Sequence, residues 1–285
     1  FGLEYKRYDN QHAEIYTNES SDRAFEEEVM LSGFANANVK VEGSGVNYDQ
    51  SQETYTARYT HETIALAFAI TEEAIEDNLY DRISSRYTKA LARSMSNAKQ
   101  VKAAAPLNNG LPTADNFDSG DGVSLFNTSH TTVSGTSVKN TLTTQADLNE
   151  TSLEQALIDI AAFTDERGLR VAAKGVKMII PSANQFSAER LLKSQGRTGT
   201  ADNDINAVAS MGMVPQGYRV NNFLTDSDSW YIITDVPNGM KMFTRAPLTT
   251  AMEGDFDTGN VRYKARERYS FGVSDYRGIF GCEGA

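Results

Sequence analysis

The sequence predicts an α+β fold that is built from unusually long elements. Three patterns indicate this fold: helical spacing of apolar residues over 71–105, strict alternation over 261–273, and weaker alternation over 38–70. The helix would extend about 50 Å at ~1.5 Å per residue, and the strand about 43 Å at ~3.3 Å per residue. Elements of this length join distant parts of a molecule, and a compact enzyme for small substrates seldom needs them.

The composition is that of a globular protein, with 285 residues, 40% of them hydrophobic and 23% charged. No apolar run reaches the ~20 residues of a membrane span, so no membrane partner is expected. The net charge of −11 argues against broad non-specific binding to DNA or RNA, although it does not exclude a protein that encloses nucleic acid. The single cysteine, Cys282, excludes an internal disulfide and fits a reducing compartment.

Residues 1–37 are polar and weakly periodic, which predicts an N-terminal arm that lies across another surface. The sequence favours a short helix that begins near Ser20 and continues to Leu31. The arm carries three consecutive acidic residues, here called the acidic triplet: Glu26, Glu27 and Glu28.

Residues 38–70 predict a two-stranded antiparallel hairpin, with Val39 and Val41 on the first strand and Tyr55 to Tyr59 on the second. An isolated hairpin is only marginally stable in water, so this one needs a second surface. Its charged side chains are therefore candidates for contact with that surface: Lys40, Glu42 and Arg58.

The long helix is predicted to begin at Thr71, a suitable N-cap, and to end before Pro106. Acidic residues precede basic ones along it, as the helix dipole favours. An ordinary core helix that is broken near Ser94 to Asn97 is the alternative interpretation. The polar stretch 106–148 exceeds an ordinary connection, which indicates a functional, disordered or interface loop.

A mixed unit of helices and strands follows from Asn149. We expect a helix that begins at Asn149 or Thr151 and ends at Gly168, with Ile158, Ala161 and Ala162 among its inward residues. Asn238-Gly239 predicts a hairpin turn. The other expected elements are a strand at 176–180, a helix at 185–193, a polar loop at 194–204 that contains Asp202 and Asp204, a short helix at 205–211, and strands at 218–223 and 230–234.

The closing strand, 261–273, has one mostly apolar face and one basic face. The apolar face should pack beneath the long helix, against Ile75, Leu79 and Ile83. Three interpretations of the basic face stay open: pairing with acidic segments such as the acidic triplet, contact with nucleic acid phosphates, or simple solvation. The basic face consists of Arg262, Lys264, Arg266 and Arg268.

The sequence shows no motif that carries a catalytic mechanism. A phosphate loop, a dinucleotide fingerprint and a nucleophile elbow are all missing from it. His12, His61 and His130 are far apart and lack zinc-ligand spacing, so no metal or cofactor is expected. A composite metal site and a catalytic pair of His130 with Ser129 are minor alternatives, and a hydrogen-bonding loop histidine is favoured over the pair.

Several stretches resemble the major capsid proteins of tailed bacteriophages, in the branch related to Mu-type head subunits. The resemblance covers most of the chain from about Ala67 to the end, and its motifs carry no catalytic mechanism. The residues that carry it are 67–74, 79–81, 90–95, 125–130, 200–206, 252–259 and 261–281.

This resemblance implies the Hong Kong 97-type capsid fold. Its parts would be an arm at 1–37, an extended hairpin loop at 38–70, a peripheral domain with the spine helix at 71–148, an axial domain at 149–246, and peripheral strands at 247–285. The implied function is structural. The chain would assemble as hexamers and pentamers into an icosahedral virion shell around double-stranded DNA, inside the host bacterial cytoplasm.

The resemblance also implies partners, namely a portal protein, a scaffolding protein and a decoration protein. No scaffolding domain precedes the arm, so scaffolding is expected to be separate or to be removed with a leader. Two other classes stay open at this point: an encapsulin-like compartment shell of the same fold, and a hydrolase whose site the sequence does not reveal.

Overall fold

The computed structural model describes residues 1–77, 80–113, 117–197, 204–255 and 259–285. They form two compact units, each built from segments that are distant in sequence. Unit 1 comprises Phe1–Glu26, Tyr59–Ala104 and Met242–Phe271, and unit 2 comprises Glu27–Arg58, Ala105–Lys241 and Gly272–Ala285.

The α-helices within these ranges are α1 (Gly2–Tyr5), α2 (Glu72–Glu76), α3 (Tyr80–Asn109), α4 (Glu150–Ala161), α5 (Gln185–Lys193) and α6 (Ala207–Ser210). None of them is long and apolar enough to cross a membrane. The strands are β1 (Thr17–Ser20), β2 (Phe25–Leu31), β3 (Glu53–Thr60), β4 (Glu62–Ile70), β5 (His130–Thr131), β6 (Ser137–Val138), β7 (Gly175–Ile180), β8 (Tyr218–Val220), β9 (Trp230–Thr234), β10 (Met240–Gly254), β11 (Val261–Val273) and β12 (Ile279–Cys282).

The long helix is present but differs from the prediction at both ends. Thr71 is the predicted N-cap, and its hydroxyl accepts a hydrogen bond from the Ala74 N–H at 3.4 Å. The helix that it caps is the short α2, so a single helix over 71–105 was wrong. Its successor α3 spans about 45 Å at ~1.5 Å per residue and is continuous through Ser94 to Asn97, which excludes the alternative break there.

Pro106 does not end α3, contrary to the prediction. A proline inside a helix removes one main-chain hydrogen bond, so its position needs compensation. In unit 2 the last turn is anchored by the fully buried Leu107 and by Asn108. The Asn108 amide donates to the Phe223 carbonyl at 3.1 Å, and its oxygen accepts from the Thr225 N–H at 3.1 Å. These contacts are between distant segments, and local propensity does not reveal them.

The predicted hairpin has a different first strand. β3 pairs with β2, whereas the stretch around Val39 and Val41 forms no strand. The expected helix that continues to Leu31 is therefore also wrong. Residues 25–31 alternate in exposure, as a half-buried strand does. Hydrogen bonds between Ser32 and Gln52 close the base of this pair, at 2.9 Å and 3.0 Å.

Unit 1 is organised around a four-stranded sheet with the order β1-β10-β11-β4. β11 has the predicted bounds, Val261–Val273, and pairs antiparallel with β4. Leu91 and Met95 of α3 pack against Ala265 of β11, so the predicted packing of helix on strand is present. Of the helix residues expected in this contact, Leu79 and the Ile83 side chain lie outside the described part of the chain, and Ile75 is half-buried on α2.

Unit 2 contains a second four-stranded sheet with the order β12-β9-β7-β8. β7 runs parallel to β8 and antiparallel to β9, and β9 runs antiparallel to β12. The predicted strands at 176–180 and 230–234 and the helix at 185–193 are confirmed. β9 and β10 belong to different sheets, so Asn238-Gly239 forms a turn but not the expected hairpin.

α4 shows how its sequence defines its own start. The Asn149 side chain accepts from the Ser152 N–H at 2.9 Å, and the Ser152 hydroxyl accepts from the Asn149 N–H at 3.0 Å, which completes a capping box. The helix ends at Ala161 and not at Gly168. Its buried face is formed by Leu153, Ala156, Leu157 and Ile160, whereas Ile158, Ala161 and Ala162 are exposed, contrary to the prediction.

Candidate assembly surfaces

The basic face of β11 is exposed, as the alternation of the sequence predicts. Arg262, Lys264 and Arg266 are exposed and Arg268 is half-buried, whereas Ala265 between them is fully buried. The antiparallel register places small residues of β4 opposite these cations: Ala69, Ala67, Ala65 and Thr63, in that order. Small neighbours on β4 leave room for the charged side chains to extend, and alternate residues of the strand place the cations about 6.6 Å apart in a row.

Only part of this basic face is neutralised inside unit 1. Arg262 forms an ion pair with Asp255. Lys264 and Arg266 form no ion pair with any residue that the structure describes. The Arg268 Nε atom is buried without a hydrogen-bond partner among the same residues. Two cations at the centre of the row are therefore available to another surface.

The acidic triplet already has partners within the chain. In unit 1, Glu26 accepts from the Ser21 hydroxyl at 2.7 Å and lies 3.9 Å from Arg23. In unit 2, Glu27 lies 3.7 Å from Arg58. Glu28 pairs with the buried Lys241 at 2.5 Å and also accepts from the Ser274 hydroxyl. These contacts compete with pairing between the triplet and β11 of a neighbouring subunit.

The segment between β2 and β3, residues 33–51, exposes apolar side chains. The most exposed are Val39 at 94% and Tyr48 at 97%, and the polar candidates Lys40 and Glu42 are exposed as well. A contiguous apolar surface on a soluble protein usually marks a contact site. The remaining exposed apolar residues of the segment are Phe34, Val41 and Val46.

Asp49 anchors this segment to unit 2. Its carboxylate accepts from the Ala35 N–H at 2.7 Å and lies 3.2 Å from the Arg167 guanidinium. The N–H groups of Ala35 and Gln50, together with Arg167, lower the pKa of Asp49 below its ordinary value. The Arg167 guanidinium also donates to the Gln50 carbonyl at 2.9 Å. The exposed apolar residues are thus carried on a segment with a defined attachment.

The structure describes only one of the two carboxylates predicted for the polar loop 194–204. Asp202 lies outside the described residues. Asp204 is exposed, and its carbonyl accepts from the Arg197 N–H at 2.9 Å. The Arg197 side chain lies 2.7 Å from Glu150. Ile205 and Met211, close by in sequence, are each 72% exposed, which adds apolar surface to this region.

His130 is structural, as favoured from the sequence. It is fully buried, its Nδ1 lies 2.6 Å from Asp121, and its Nε2 lies 3.0 Å from the Asn140 amide oxygen. Its ring stacks on Tyr276 at 3.8 Å between centroids. The neighbouring Ser129 is exposed and bonds to Ser137 at 3.0 Å, so the two residues do not form a catalytic pair.

A buried ion cluster in unit 2 was not anticipated from the sequence. Arg277 pairs with Glu166 at 2.5 Å and with Asp275 at 3.2 Å, and its Nε donates to the Thr164 carbonyl at 2.8 Å. The guanidinium also lies 4.4 Å from the centre of the Tyr276 ring. Glu166 and Arg277 are 111 positions apart, and neither has a local pattern that signals the pairing.

The described residues show no other arrangement with evident chemistry. Within them, no group of three or more His, Cys, Asp or Glu side chains is placed to hold a metal ion. Cys282 is buried, with its sulfur 3.1 Å from the Gln145 amide oxygen, and burial raises the pKa of its thiol. A protonated, buried thiol is a poor nucleophile.

Comparison with known proteins matches these features to one family and one fold. The family described as phage capsid protein matches residues 54–281. The structure resembles the capsid of an empty GTA particle at 15% identity and a TM-score of 0.57, covering 96% of this chain and 89% of that chain. It also resembles the capsid of the Myoviridae phage XM1 at 12% identity and a TM-score of 0.54, covering 95% and 89%.

A further resemblance is to a virus-like particle from Pyrococcus furiosus, at 11% identity and a TM-score of 0.53, covering 99% of this chain and 95% of that chain. None of the curated proteins matches the sequence. The structural likenesses confirm the predicted α+β fold of the Hong Kong 97 type.

Proposed function

The chain belongs to the phage capsid protein family and is a structural major capsid protein of a tailed bacteriophage, and from this premise we propose how it assembles. It forms hexamers and pentamers, which close into an icosahedral shell around double-stranded DNA. The parts keep their expected roles: arm at 1–37, extended loop within 38–70, peripheral domain at 71–148, axial domain at 149–246, and peripheral strands at 247–285.

The observation that carries this proposal is the exposed apolar segment 33–51. Val39 and Tyr48 make almost no contact within the chain, since both are more than nine-tenths exposed. Burying a Val or an aromatic side chain contributes about 1.5–3 kcal/mol. A neighbouring subunit that covers this segment would gain that contribution at every copy of the contact, which suits a self-assembling shell.

The test replaces Val39 and Tyr48 together by serine. Both side chains are exposed, so the free energy of unfolding of the unassembled subunit should stay within about 0.5 kcal/mol of wild type. Electron microscopy should show that the wild-type protein forms shells and that the variant does not. Normal shells from the variant would refute the role of this segment.

The basic face of β11 has a second assembly role in this proposal. Lys264 and Arg266 pair with carboxylates of an adjacent subunit. The acidic triplet, which the sequence favours as the partner, takes part only if its glutamates leave their partners within the chain. Each exposed pair contributes only about 0.2–1 kcal/mol, but the contact recurs across the shell. The double substitution Lys264→Glu and Arg266→Glu should leave a folded subunit that assembles poorly, because both side chains are exposed. Unimpaired assembly at low salt would show that the face is solvated or meets only DNA.

The same proposal includes a portal protein, a scaffolding protein and a decoration protein as partners, and assembly in the bacterial host cytoplasm. It also assigns the chain no catalytic activity, and the buried position of His130 argues against the catalytic pair of His130 with Ser129. Any hydrolytic turnover that is lost in His130→Ala, while the fold is retained, would contradict this part.

The compartment shell that the sequence left open differs from this proposal in what the shell encloses, and a virus-like particle is among the similar structures. Both candidates assemble, so the contents of the shell decide between them. Nuclease treatment followed by extraction should recover protected double-stranded DNA from shells formed during infection. Shells that contain protein cargo and no DNA would support the compartment instead.

A further inference from the structure

The helix α3 carries an unusual distribution of charge. Residues 82–114 contain no aspartate or glutamate, in a chain that has 38 of them and a net charge of −11. Every cation in this stretch lies on α3. The cations are Arg82, Arg86, Lys89, Arg93, Lys99 and Lys102.

The five of these cations whose side chains the structure describes divide between two sides of the helix. Lys99 and Lys102 are directed at the sheet of unit 1, where they pair with Glu267 and Glu62. Arg86, Lys89 and Arg93 are exposed on the opposite side, within an arc of about 60° at 3.6 residues per turn. None of these three forms an ion pair with a residue in the described ranges. We call them the α3 cationic face.

Hydrogen-bond donors accompany these charges. A groove between α1 and α3 is lined by Lys89 and Arg93 together with the polar side chains of Tyr8, Ser94 and Asn97. Glu4 also lines this groove, but it lies 3.9 Å from Arg7 and accepts from the Tyr8 hydroxyl at 3.5 Å. The groove thus combines cations with neutral donors, and its one described carboxylate already has partners.

We infer that the α3 cationic face contacts the phosphates of the double-stranded DNA that the shell encloses. This inference rests on the proposed function, and it adds which surface of the subunit faces the DNA. Phosphate contacts typically combine Arg and Lys with Ser, Asn and Tyr donors and read no sequence. A protein partner is less suited, because it would have to supply acidic side chains at fixed positions that match all three cations.

The absence of acidic residues from the stretch 82–114 also favours DNA. A uniform polyanion repels every carboxylate near it, whatever the register of the contact, whereas a protein interface pairs charges of both signs at fixed positions. The face extends about 10 Å along the helix from Arg86 to Arg93, at ~1.5 Å per residue. A face of this length contacts a few phosphates in each subunit, and every subunit of the shell repeats these contacts.

The test substitutes Arg86, Lys89 and Arg93 together by glutamine, which retains helix propensity and most of the side-chain length. The matched control substitutes three exposed cations of unit 2, Arg170, Lys174 and Arg219, by glutamine, with the same change of net charge. The affinity of each unassembled protein for a short blunt DNA duplex is measured at about 50 and about 200 mM salt.

Three lost phosphate contacts reduce the slope of log affinity against log salt by about 2.7, at ~0.9 per contact. The wild type and the control should therefore lose about 40-fold more affinity than the face variant across this fourfold change in salt. Equal salt dependence of the face variant and the wild type, or no duplex binding by the wild type at about 50 mM salt, would overturn the inference.

Shell formation is scored on the same three proteins by electron microscopy. A face variant that fails to assemble while its salt dependence matches that of the wild type would identify the face as a contact between subunits, which also overturns the inference. The proposed function is judged separately, because it fails if the wild type forms no shells, whatever its salt dependence.

Discussion

Replacing Lys99 by methionine should destabilise unit 1 by about 3–5 kcal/mol, because it leaves a buried carboxylate without its cation. The Lys99 ammonium lies 2.9 Å from Glu267, whose side chain is only 2% exposed. The same ammonium lies 5.0 Å from the centre of the Tyr269 ring. The opposite substitution, Glu267→Gln, should cost less, about 1–3 kcal/mol, since Lys99 is 15% exposed and keeps the aromatic contact.

The structure also supplies an exposed control on the same helix. Lys102 pairs with Glu62, and their side chains are 39% and 59% exposed, so Lys102→Met should cost no more than about 1 kcal/mol. Replacing both members of the buried pair, as Lys99→Met with Glu267→Leu, should cost far less than Lys99→Met and Glu267→Leu measured singly and added together, because no unpaired charge then remains.

Urea unfolding of the unassembled subunit at neutral pH measures these free energies. The fluorescence of Trp230 reports on unit 2 and not on unit 1. Hydrogen exchange at the amides of β11 is therefore measured as well, and it should show that the stability is lost in unit 1. The reasoning is refuted if Lys99→Met is no more destabilising than Lys102→Met, or if the double replacement is additive.

Two further predictions concern pH and packing. Burial, and then the charge of Lys99, lower the pKa of His12 from 6.5 to about 4. Because the unfolded chain binds this proton at a higher pH than the folded chain does, the free energy of unfolding should fall as the pH is lowered from about 6.5 to about 4. His12→Asn should flatten this part of the pH profile, and a parallel profile would contradict the assignment. Gly281→Ala should cost about 1–3 kcal/mol in urea unfolding, because a Cβ there would lie 2.6 Å from the Phe126 ring. Gly45→Ala, with no atom within 4 Å, should change stability by less than about 0.5 kcal/mol, and equal effects of the two would be evidence against the packing argument.

The elements with strong periodicity could be predicted from the sequence. β11 combines thirteen residues of alternation with β-branched and aromatic side chains on its buried face, and its bounds are as expected. α5 and the N-cap at Thr71 have equally local signals and were also predicted correctly. In each case, the neighbours in sequence contain the information that determines the structure.

The incorrect predictions fall where distant contacts outweigh the local pattern. Pro106 ends most helices, yet Leu107 and Asn108 hold three more residues of α3 in place through contacts in unit 2. The sequence favoured a helix from near Ser20 to Leu31, but pairing with β3 makes residues 25–31 a strand. The cluster around Arg277 gave no sequence signal, because its members become neighbours only after folding.

The candidate surfaces were predictable in part. Alternation alone identified the basic face of β11, because four cations cannot be buried without partners. It could not show which acidic groups were already engaged, and all three glutamates of the triplet have partners within the chain. The hairpin predicted at 38–70 was expected to need a second surface, but the attachment of the exposed segment 33–51 through Asp49 and Arg167 required the three-dimensional structure.

The alternation of β11 constrains how this protein can change in length during evolution. Inserting or deleting one residue between Arg262 and Arg268 would exchange the two faces of the strand beyond that point, and would turn the remaining cations toward Leu91 and Met95. Changes within the strand are therefore tolerated only in pairs, each pair adding about 6.6 Å. Single-residue changes should accumulate instead beyond Gly254, where β10 has ended and β11 has not yet begun. Related shells are thus expected to differ in the length of β11 only by even numbers of residues, so that each side chain of the strand keeps its face.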